Sequence, residues 1–384
     1  MSLALLPTEL LSMIAFSACT DGGPTGCSLA LVSKHIRDVS RPARFYSVSL
    51  ASSPEQIECF IGCFKAERAR VAECLLRVRH LFLSLFGQAN VFDPLRMDAI
   101  FNAQNDTERY RHILEMMNQF GDDQDELSER YAPLVATLLE LVSPDIQTFV
   151  LLQSKFRKLP TSIFRFPQLR ELTLLGGDPK FARFRDVPAD QDPLYPSLKR
   201  LHHIFVLMLL EHDDVDFVPW AHHAPNVTHL KVSRLSARPD VTLDTLLRAF
   251  SRVAEEDVLF PHLKQVLIQP EAEPEEDDIA ATVTIAAYRQ YIQWLRQSVK
   301  ETRVDTVLLS DWDDNVVGNL QQFHDHNTET ALRDWLARIE GGEGCWALGT
   351  PAAEEHESGV ATGLQEPLGL SDDESSTPEP LSNP

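Results

Sequence analysis

The chain has 384 residues, 43% of them hydrophobic, with 35 Lys and Arg against 57 Asp and Glu and a formal net charge of −22. That length suffices for a substantial core in one large or two modest domains. The acidic balance argues against nucleic acid and against an anionic membrane surface as main partners, because each needs a basic face.

The first segment with a clear pattern is Leu6-Pro7-Thr8-Glu9-Leu10-Leu11. It predicts a short amphipathic helix opened by Leu6 and Pro7, since proline is suited to a first turn where its missing N–H is not needed. Leu6, Leu10, Leu11 and Ile14 fall at helical spacing and form one apolar stripe. Leu29-Ala30-Leu31-Val32-Ser33-Lys34-His35-Ile36-Arg37 follows, then Arg41-Pro42-Ala43-Arg44-Phe45-Tyr46. Together these segments, about the first 50 residues, resemble an F-box. The resemblance implies a helical module that docks on the Skp adaptor of a cullin-based ubiquitin ligase. Carried onto this sequence, the adaptor-facing residues are Leu6, Pro7, Leu10, Leu11 and Ile14, with Leu31, Val32 and Ser33 from the next helix. Two departures stand out: Ile36 lies where a tryptophan often follows, and the loop Thr20-Asp21-Gly22-Gly23-Pro24 is unusually glycine-rich.

Beyond this module one short pattern returns: apolar, two variable, apolar, one variable, apolar. Its copies begin at Phe45, Val78, Ile146, Leu169, Val227, Leu263 and Val304. A further copy begins at Leu198, with His203 in the last apolar place. Pro144, Pro167, Pro196, Pro225 and Pro261 each stand two residues before a copy, the middle three 29 residues apart. Such a period indicates stacked supersecondary units. Proline cannot donate to a strand ladder, so it belongs just before each strand, whose alternating apolar pair then points to a shared core.

Helical periodicity marks the segments between: 55–76 (Ile57, Phe60, Ile61, Phe64, then Val71 and Leu75), 243–254, 279–300 and 328–340. Residues 85–143 hold helical patterns near 107–120 and 125–142 but no strand copy, which suggests an insertion. The alternation is similar to a divergent leucine-rich repeat, that is, an irregular α/β solenoid with parallel strands over 51–340. An ordinary α/β sheet would also alternate, but it gives no reason for the proline register. The period drifts from 23 to 41 residues after residue 146, and the asparagine or cysteine that usually follows the strand motif has no consistent occupant.

Charge is unevenly placed: residues 1–87 carry nine Lys and Arg against seven Asp and Glu, whereas 351–384 carry eight acids and no Lys or Arg. The acidic runs Asp122–Glu126 and Glu271–Asp278 read as solvated loops before helices, or as contacts for a basic partner. From Gly341 onward the composition turns to Gly, Pro, Ser and acids, which predicts a disordered tail over 341–384. Within it Ser371-Asp372-Asp373-Glu374 and Thr377-Pro378 resemble kinase sites.

Six cysteines (Cys19, Cys27, Cys59, Cys63, Cys74 and Cys345) show no CxxC pair and read as free thiols in a reducing compartment, cytoplasmic or nuclear. Phosphate-cradle, nucleophile-elbow and HExxH motifs are absent from the sequence. His202-His203, His212, His222-His223 and His229 read as loop and surface residues, and His324-Asp325-His326 as a loop that caps the next helix. Asp311-Trp312-Asp313-Asp314 reads as a turn, so neither catalysis nor a metal or cofactor is expected.

The resemblance therefore implies a non-enzymatic, substrate-recruiting subunit of a Skp–cullin–F-box ligase, of the divergent type common in fungi. Its partners would be the Skp adaptor, the cullin core and a protein substrate of unknown identity. The alternatives are a repeat scaffold outside any ligase, its first helices serving only as an end cap, and, more remotely, a hydrolase built around Asp311. Exposure of Leu6 and Leu10 discriminates between docking face and cap.

Overall fold

In four of the repeat copies the last turn before the strand is built the same way. Leu169, Leu198, Val227 and Leu263 each donate an N–H to the carbonyl three residues back, on Phe166, Tyr195, Ala224 and Phe260, at 3.2–3.3 Å. Pro167, Pro196, Pro225 and Pro261 thus sit at the second position of a β-turn, where a fixed φ near −65° is favourable. Successive turns are stitched together: Ser197 Oγ donates to Pro167 O at 2.6 Å, and Asn226 Nδ2 to Pro196 O at 2.8 Å. The prolines therefore shape a turn as well as avoiding the ladder.

This computed structural model describes residues 6–51, 53–70, 76–86, 102–103, 105–153, 164–176, 192–205, 207–208, 211–212, 215–236, 241–250, 258–274, 284–300, 302–311 and 320–348. Three short helices open the chain: α1 (Thr8–Ala18), α2 (Pro24–Val32) and α3 (Lys34–Arg44). They lead into β1 (Ser47–Ala51), α4 (Pro54–Arg68), β2 (His80–Ser84), α5 (Asp106–Val142), β3 (Thr148–Leu152), β4 (Glu171–Leu175) and β5 (Arg200–Ile204). A small hairpin, β6 (Leu207–Met208) and β7 (Glu211–His212), precedes α6 (Phe217–His223), β8 (His229–Leu235), α7 (Val241–Phe250) and β9 (Gln265–Pro270). The chain continues through α8 (Ile285–Lys300), β10 (Asp305–Leu308), α9 (Leu320–Ile339) and a 3-10 turn, Gly344–Trp346.

Among the described residues eight strands form one all-parallel sheet, in the order β1-β2-β3-β4-β5-β8-β9-β10. The fold is α/β, and within this sheet each strand neighbours the next in the chain. Parallel pairing requires a crossover each time, and α4, α5, α6, α7 and α8 supply helices for it on a single face. That face carries the main core. Val48, Leu81, Phe149, Leu172, Leu201, Leu230 and Val266 form one continuous buried row across the sheet. Beside it the rings of Phe149, Phe166, Tyr195 and Trp220 stack in file, 5.5–5.8 Å apart.

Several expectations are corrected by the structure. The last copy is displaced by one residue: Val307 pairs with Leu267, not Val266. Val304 and Leu308 consequently face the main core, whereas Val307 and Leu309 face the other side. A one-residue slip exchanges the two faces of a strand. The two helices expected within 107–142 are one helix, α5, so Asp122–Glu126 lies inside it and is not a loop. Its C-terminal half buries Tyr131, Val135, Leu138, Leu139 and Val142, which makes it the crossover between β2 and β3. Residues 324–327 likewise belong to α9, which starts well before 328. Residue 50 is not a module boundary, because it lies within β1, an edge strand of the sheet.

Of the histidines expected at the surface, His202, His203 and His223 are buried, His229 is half-buried and His222 is exposed. His203 fills its apolar place on the core face, with the rings of Phe217 and Trp220 edge-on at 5.7 and 5.1 Å. Burial pushes its pKa down to about 3. Glu271, expected in a solvated loop, is buried and receives Ser236 Oγ at 3.4 Å, while its backbone carbonyl accepts Tyr288 O–H at 2.7 Å. The expected tail begins too early: Trp346 is buried, and Cys345 and Trp346 pack with Leu267, Val307 and Leu309 of the sheet. Val71, Leu75, Cys74, Trp312 and the tail beyond 348 lie outside the described residues.

Candidate functional site

The N-terminal helices are joined by a tight loop whose glycines have a steric reason. Gly22 adopts φ +79°, and a Cβ there would stand 2.9 Å from Ser49 Cβ. The same loop is fastened to β1: Gly22 N donates to Ser47 Oγ at 3.1 Å, Ser47 Oγ to Cys19 O at 2.8 Å, and Ser49 N to Gly22 O at 2.8 Å. Asp21 then accepts the N–H of Gly23 and of Thr25, which closes the first turn of α2. In α2, Gly26 lets the backbone of α3 come close, since a Cβ would lie 2.8 Å from Arg44 Cα. Arg37 Nε ties α3 back to Ala30 O at 2.7 Å.

The module's own core is small: Ala15, Cys19 and Ala43, with Phe16 and Leu29 against them. Its large apolar residues are elsewhere. Leu10, Met13 and Ile14 on α1 are 47%, 66% and 49% exposed, and Leu31 and Val32 on α2 are 81% and 67% exposed. They account for half of the large hydrophobic side chains that stand exposed among the described residues. Scattered exposed apolar residues are ordinary; here five of them lie on two short helices, α1 and α2.

Of the eight residues expected to face a partner, the structure leaves Pro7, Leu10, Ile14, Leu31, Val32 and Ser33 exposed. Leu6 is half-buried. Leu11 turns inward, so the predicted single stripe on α1 divides: Leu11 and Ala15 are buried, Leu10 and Ile14 lie outward. Pro7 occupies the N-cap position ahead of the helix and not its first turn. Ser33 has a structural task, its Oγ accepting the N–H of Ile36 at 3.1 Å to cap α3. Met13 escaped the sequence reading, although its spacing of three from Leu10 puts both on one helix face.

A second feature is the outer face of the sheet, which in strands β2 to β9 carries the variable positions of the repeat. It is covered by α9 and the 3-10 turn. Trp335 and Ala331 of α9 pack on Phe82, Val150, Leu152, Leu175 and Ile204, while Trp346 packs on Leu267 and Leu309. Trp335 Nε1 donates to Thr148 Oγ1 at 3.2 Å. Glu171 on β4 is the anchor: its carboxylate accepts Arg338 Nε at 3.1 Å, Arg338 Nη2 at 3.0 Å and Trp346 Nε1 at 2.9 Å, with Arg200 Nη1 at 3.7 Å. Charge-assisted, nearly bidentate bonds of this kind are the strong ones. Nothing in the composition of 328–346 announces this cover.

Among the described residues no group of histidine, cysteine, aspartate and glutamate is arranged to hold a metal ion. Asp311 is exposed, and its three sequence neighbours expected to form a turn are outside the described residues. Among the described residues no helix is long and apolar enough to cross a membrane. No protein-family model, curated protein or solved structure matches the chain.

Proposed function

We propose that the chain is the substrate-recruiting F-box subunit of a Skp–cullin–F-box ubiquitin ligase. The observation that carries this reading is the exposure of the apolar side chains Leu10, Met13, Ile14, Leu31 and Val32 on a module whose opening motif resembles an F-box. An end cap for the sheet would bury these side chains, and they are exposed. Each gains about 1 to 2 kcal/mol from completed burial against an adaptor, before the costs of association. The strictly sequential order of parallel strands, with its stacked proline turns, supports a leucine-rich-repeat-like solenoid as the target-binding domain. Such a subunit performs no chemistry; it raises the concentration of a bound target near the ubiquitin-carrying enzyme.

The test is co-purification with a recombinant Skp adaptor. The parent chain captures the adaptor, and Leu10→Ser combined with Leu31→Ser abolishes capture at unchanged melting temperature, because both side chains are exposed. Leu6→Ala with Pro7→Ala weakens it. Failure of the parent to capture the adaptor, or capture indifferent to the paired serine substitutions, removes the ligase reading.

A further inference from the structure

Between α9 and the outer face of the sheet lies a cavity of about 460 Å³, a size that suits a small organic molecule. Val150, Ile204 and Trp335 give it an apolar side; His202, Lys231 and Asp334 give it a polar one.

Two of these polar groups have bonding capacity that no described residue uses. Lys231 is only 7% exposed. Its ammonium has three protons to donate, and its one partner among the described residues is Cys345 O at 2.7 Å. It forms no ion pair among those residues. Asp334 is near enough to act on it electrostatically but not within contact distance; burial pushes the Lys231 pKa down and the Asp334 pKa up. The cation is therefore left short of a counter-charge. A buried ammonium without one carries a substantial desolvation cost.

His202 is 3% exposed. Its Nε2 lies 2.9 Å from Ser233 Oγ, and the Ser233 hydroxyl donates in turn to Gln269 Oε1 at 3.1 Å. A hydroxyl has one proton, so Nε2 must carry the hydrogen of the first bond. Burial, reinforced by the charge of Lys231, holds the ring neutral. Nδ1 is then a bare lone pair, buried and without a partner among the described residues. It calls for a donor, which a molecule in the cavity can supply.

We infer that the cavity binds a small organic carboxylate that bears a hydroxyl or N–H beside its acid group: the carboxylate meets Lys231 Nζ, the donor meets His202 Nδ1, and an apolar body lies against Ile204, Val150 and Trp335. The wall carries three cations, Lys231, Arg333 and Arg338, against two carboxylates, Glu171 and Asp334. The surplus of one positive charge matches a single carboxylate and leaves a phosphate dianion in excess. Because His202 and Lys231 belong to the sheet, and Trp335 and Asp334 to α9, the bound acid bridges the two and holds the cover down. This inference does not rest on the adaptor reading, and its test uses the purified full-length chain alone.

Calorimetric titration with phenyllactate and indolyl-lactate, each an aromatic 2-hydroxy acid, supplies the probe; phenylpropionate lacks the hydroxyl and phenylpropanediol lacks the carboxylate. At least one hydroxy acid is expected to bind, to raise the melting temperature and to slow amide exchange across 325–346. Loss of the hydroxyl or of the carboxylate should weaken binding by about tenfold or more, the loss of one hydrogen bond to a charged or buried group. Lys231→Met should abolish saturable binding. If that variant does not fold, the comparison among the four compounds on the unsubstituted protein decides. Absence of binding by both hydroxy acids, equal binding of the deoxy acid, or binding indifferent to Lys231→Met in a folded variant overturns the inference.

Discussion

The two faces of the sheet are held by different physics. The face toward α4 to α8 is a repetitive apolar surface, in which Leu81, Leu172, Leu201, Leu230 and Val266 occupy the same register position strand after strand. The face toward α9 is irregular. There an aromatic patch around Trp335, an ion pair at Glu171 and a polar cavity share one helix as their roof. Non-directional burial tolerates sequence drift, because any apolar side chain of suitable size serves. Directional anchoring does not: Glu171, Arg338 and Trp346 function only as a set.

The largest effect expected from this contrast is on the core face. Trp220→Ala removes a wholly buried ring that stacks on Tyr195 and receives the edge of His203. A loss of about 3–5 kcal/mol is expected, read as a shift in denaturation midpoint that every structural probe reports together. If the two faces were equally integrated, disrupting the outer one would give the same global signature. Instead, Glu171→Ala, which leaves Arg338 and Trp346 Nε1 without their acceptor, is expected to cost about 2–3 kcal/mol and to act locally. Hydrogen exchange should accelerate across 325–346 while β3 to β5 stay protected. Deletion after Glu343 removes Trp346 from the same seal and should reproduce that pattern. Uniform acceleration in both variants would show that the cover and the core form one cooperative unit.

The core face was legible in the sequence because two periodicities coincide on it: alternation along each strand and the proline that sets each turn. His203 interrupts the apolar row and still follows it, since a neutral imidazole packs against Phe217 and Trp220 as an aromatic ring would. The slip at β10 could not be read, because Val304, Val307, Leu308 and Leu309 offer apolar residues in both parities. The continuity of α5 was hidden by Gly121 and the acidic run after it, which resemble a loop yet stand in an unbroken helix. The cover was hidden for a deeper reason. Its contacts join Glu171 to Arg338 and Lys231 to the carbonyl of Cys345, pairs separated by more than a hundred residues, and no local pattern encodes such a pairing. The exposed set on α1 and α2 was legible in outline, since Leu10, Ile14, Leu31 and Val32 belong to the motif. The inward turn of Leu11 depends on packing that the motif does not specify.

The histidines extend the comparison to pH. His203 on the core face has a folded pKa of about 3, and His80, which bonds Thr148 Oγ1 on the outer face, one of about 4; burial lowers both from 6.5. Each binds its proton more readily in the unfolded chain, so the unfolded state gains as pH falls below 6.5. The stability they permit is complete above that value. It is lost at about 1.4 kcal/mol per pH unit for each until the folded pKa is reached. His203→Leu, which restores the apolar residue of the repeat, should remove about 2 kcal/mol of the difference in stability between pH 7 and pH 5. An unchanged pH profile in that variant would mean that His203 is protonated in the folded protein, which its ring contacts with Phe217 and Trp220 oppose.

The smallest effect is expected at the end of the chain, where the boundary of the fold can be placed between two truncations. Deletion after Glu343 breaks the seal on the outer face, whereas deletion after Gly349 spares Trp346 and every contact of the 3-10 turn. What the second deletion removes is acidic and sparse in large apolar residues, chiefly Val360, Leu364, Leu368 and Leu370. Were these four buried, they would contribute several kcal/mol at about 25 cal/mol per Å², and their loss would lower the melting temperature by several degrees or more. Docking would also bring Asp372, Asp373 and Glu374, adjacent to Leu370, against a body that is already acidic. Like-charge repulsion of that kind offsets the gain from so few side chains. The melting temperature after deletion at Gly349 is therefore expected to match that of the parent within about a degree, on the usual scaling for a domain of this size. A larger drop would place the tail against the folded body and move the boundary of the cover beyond Leu348.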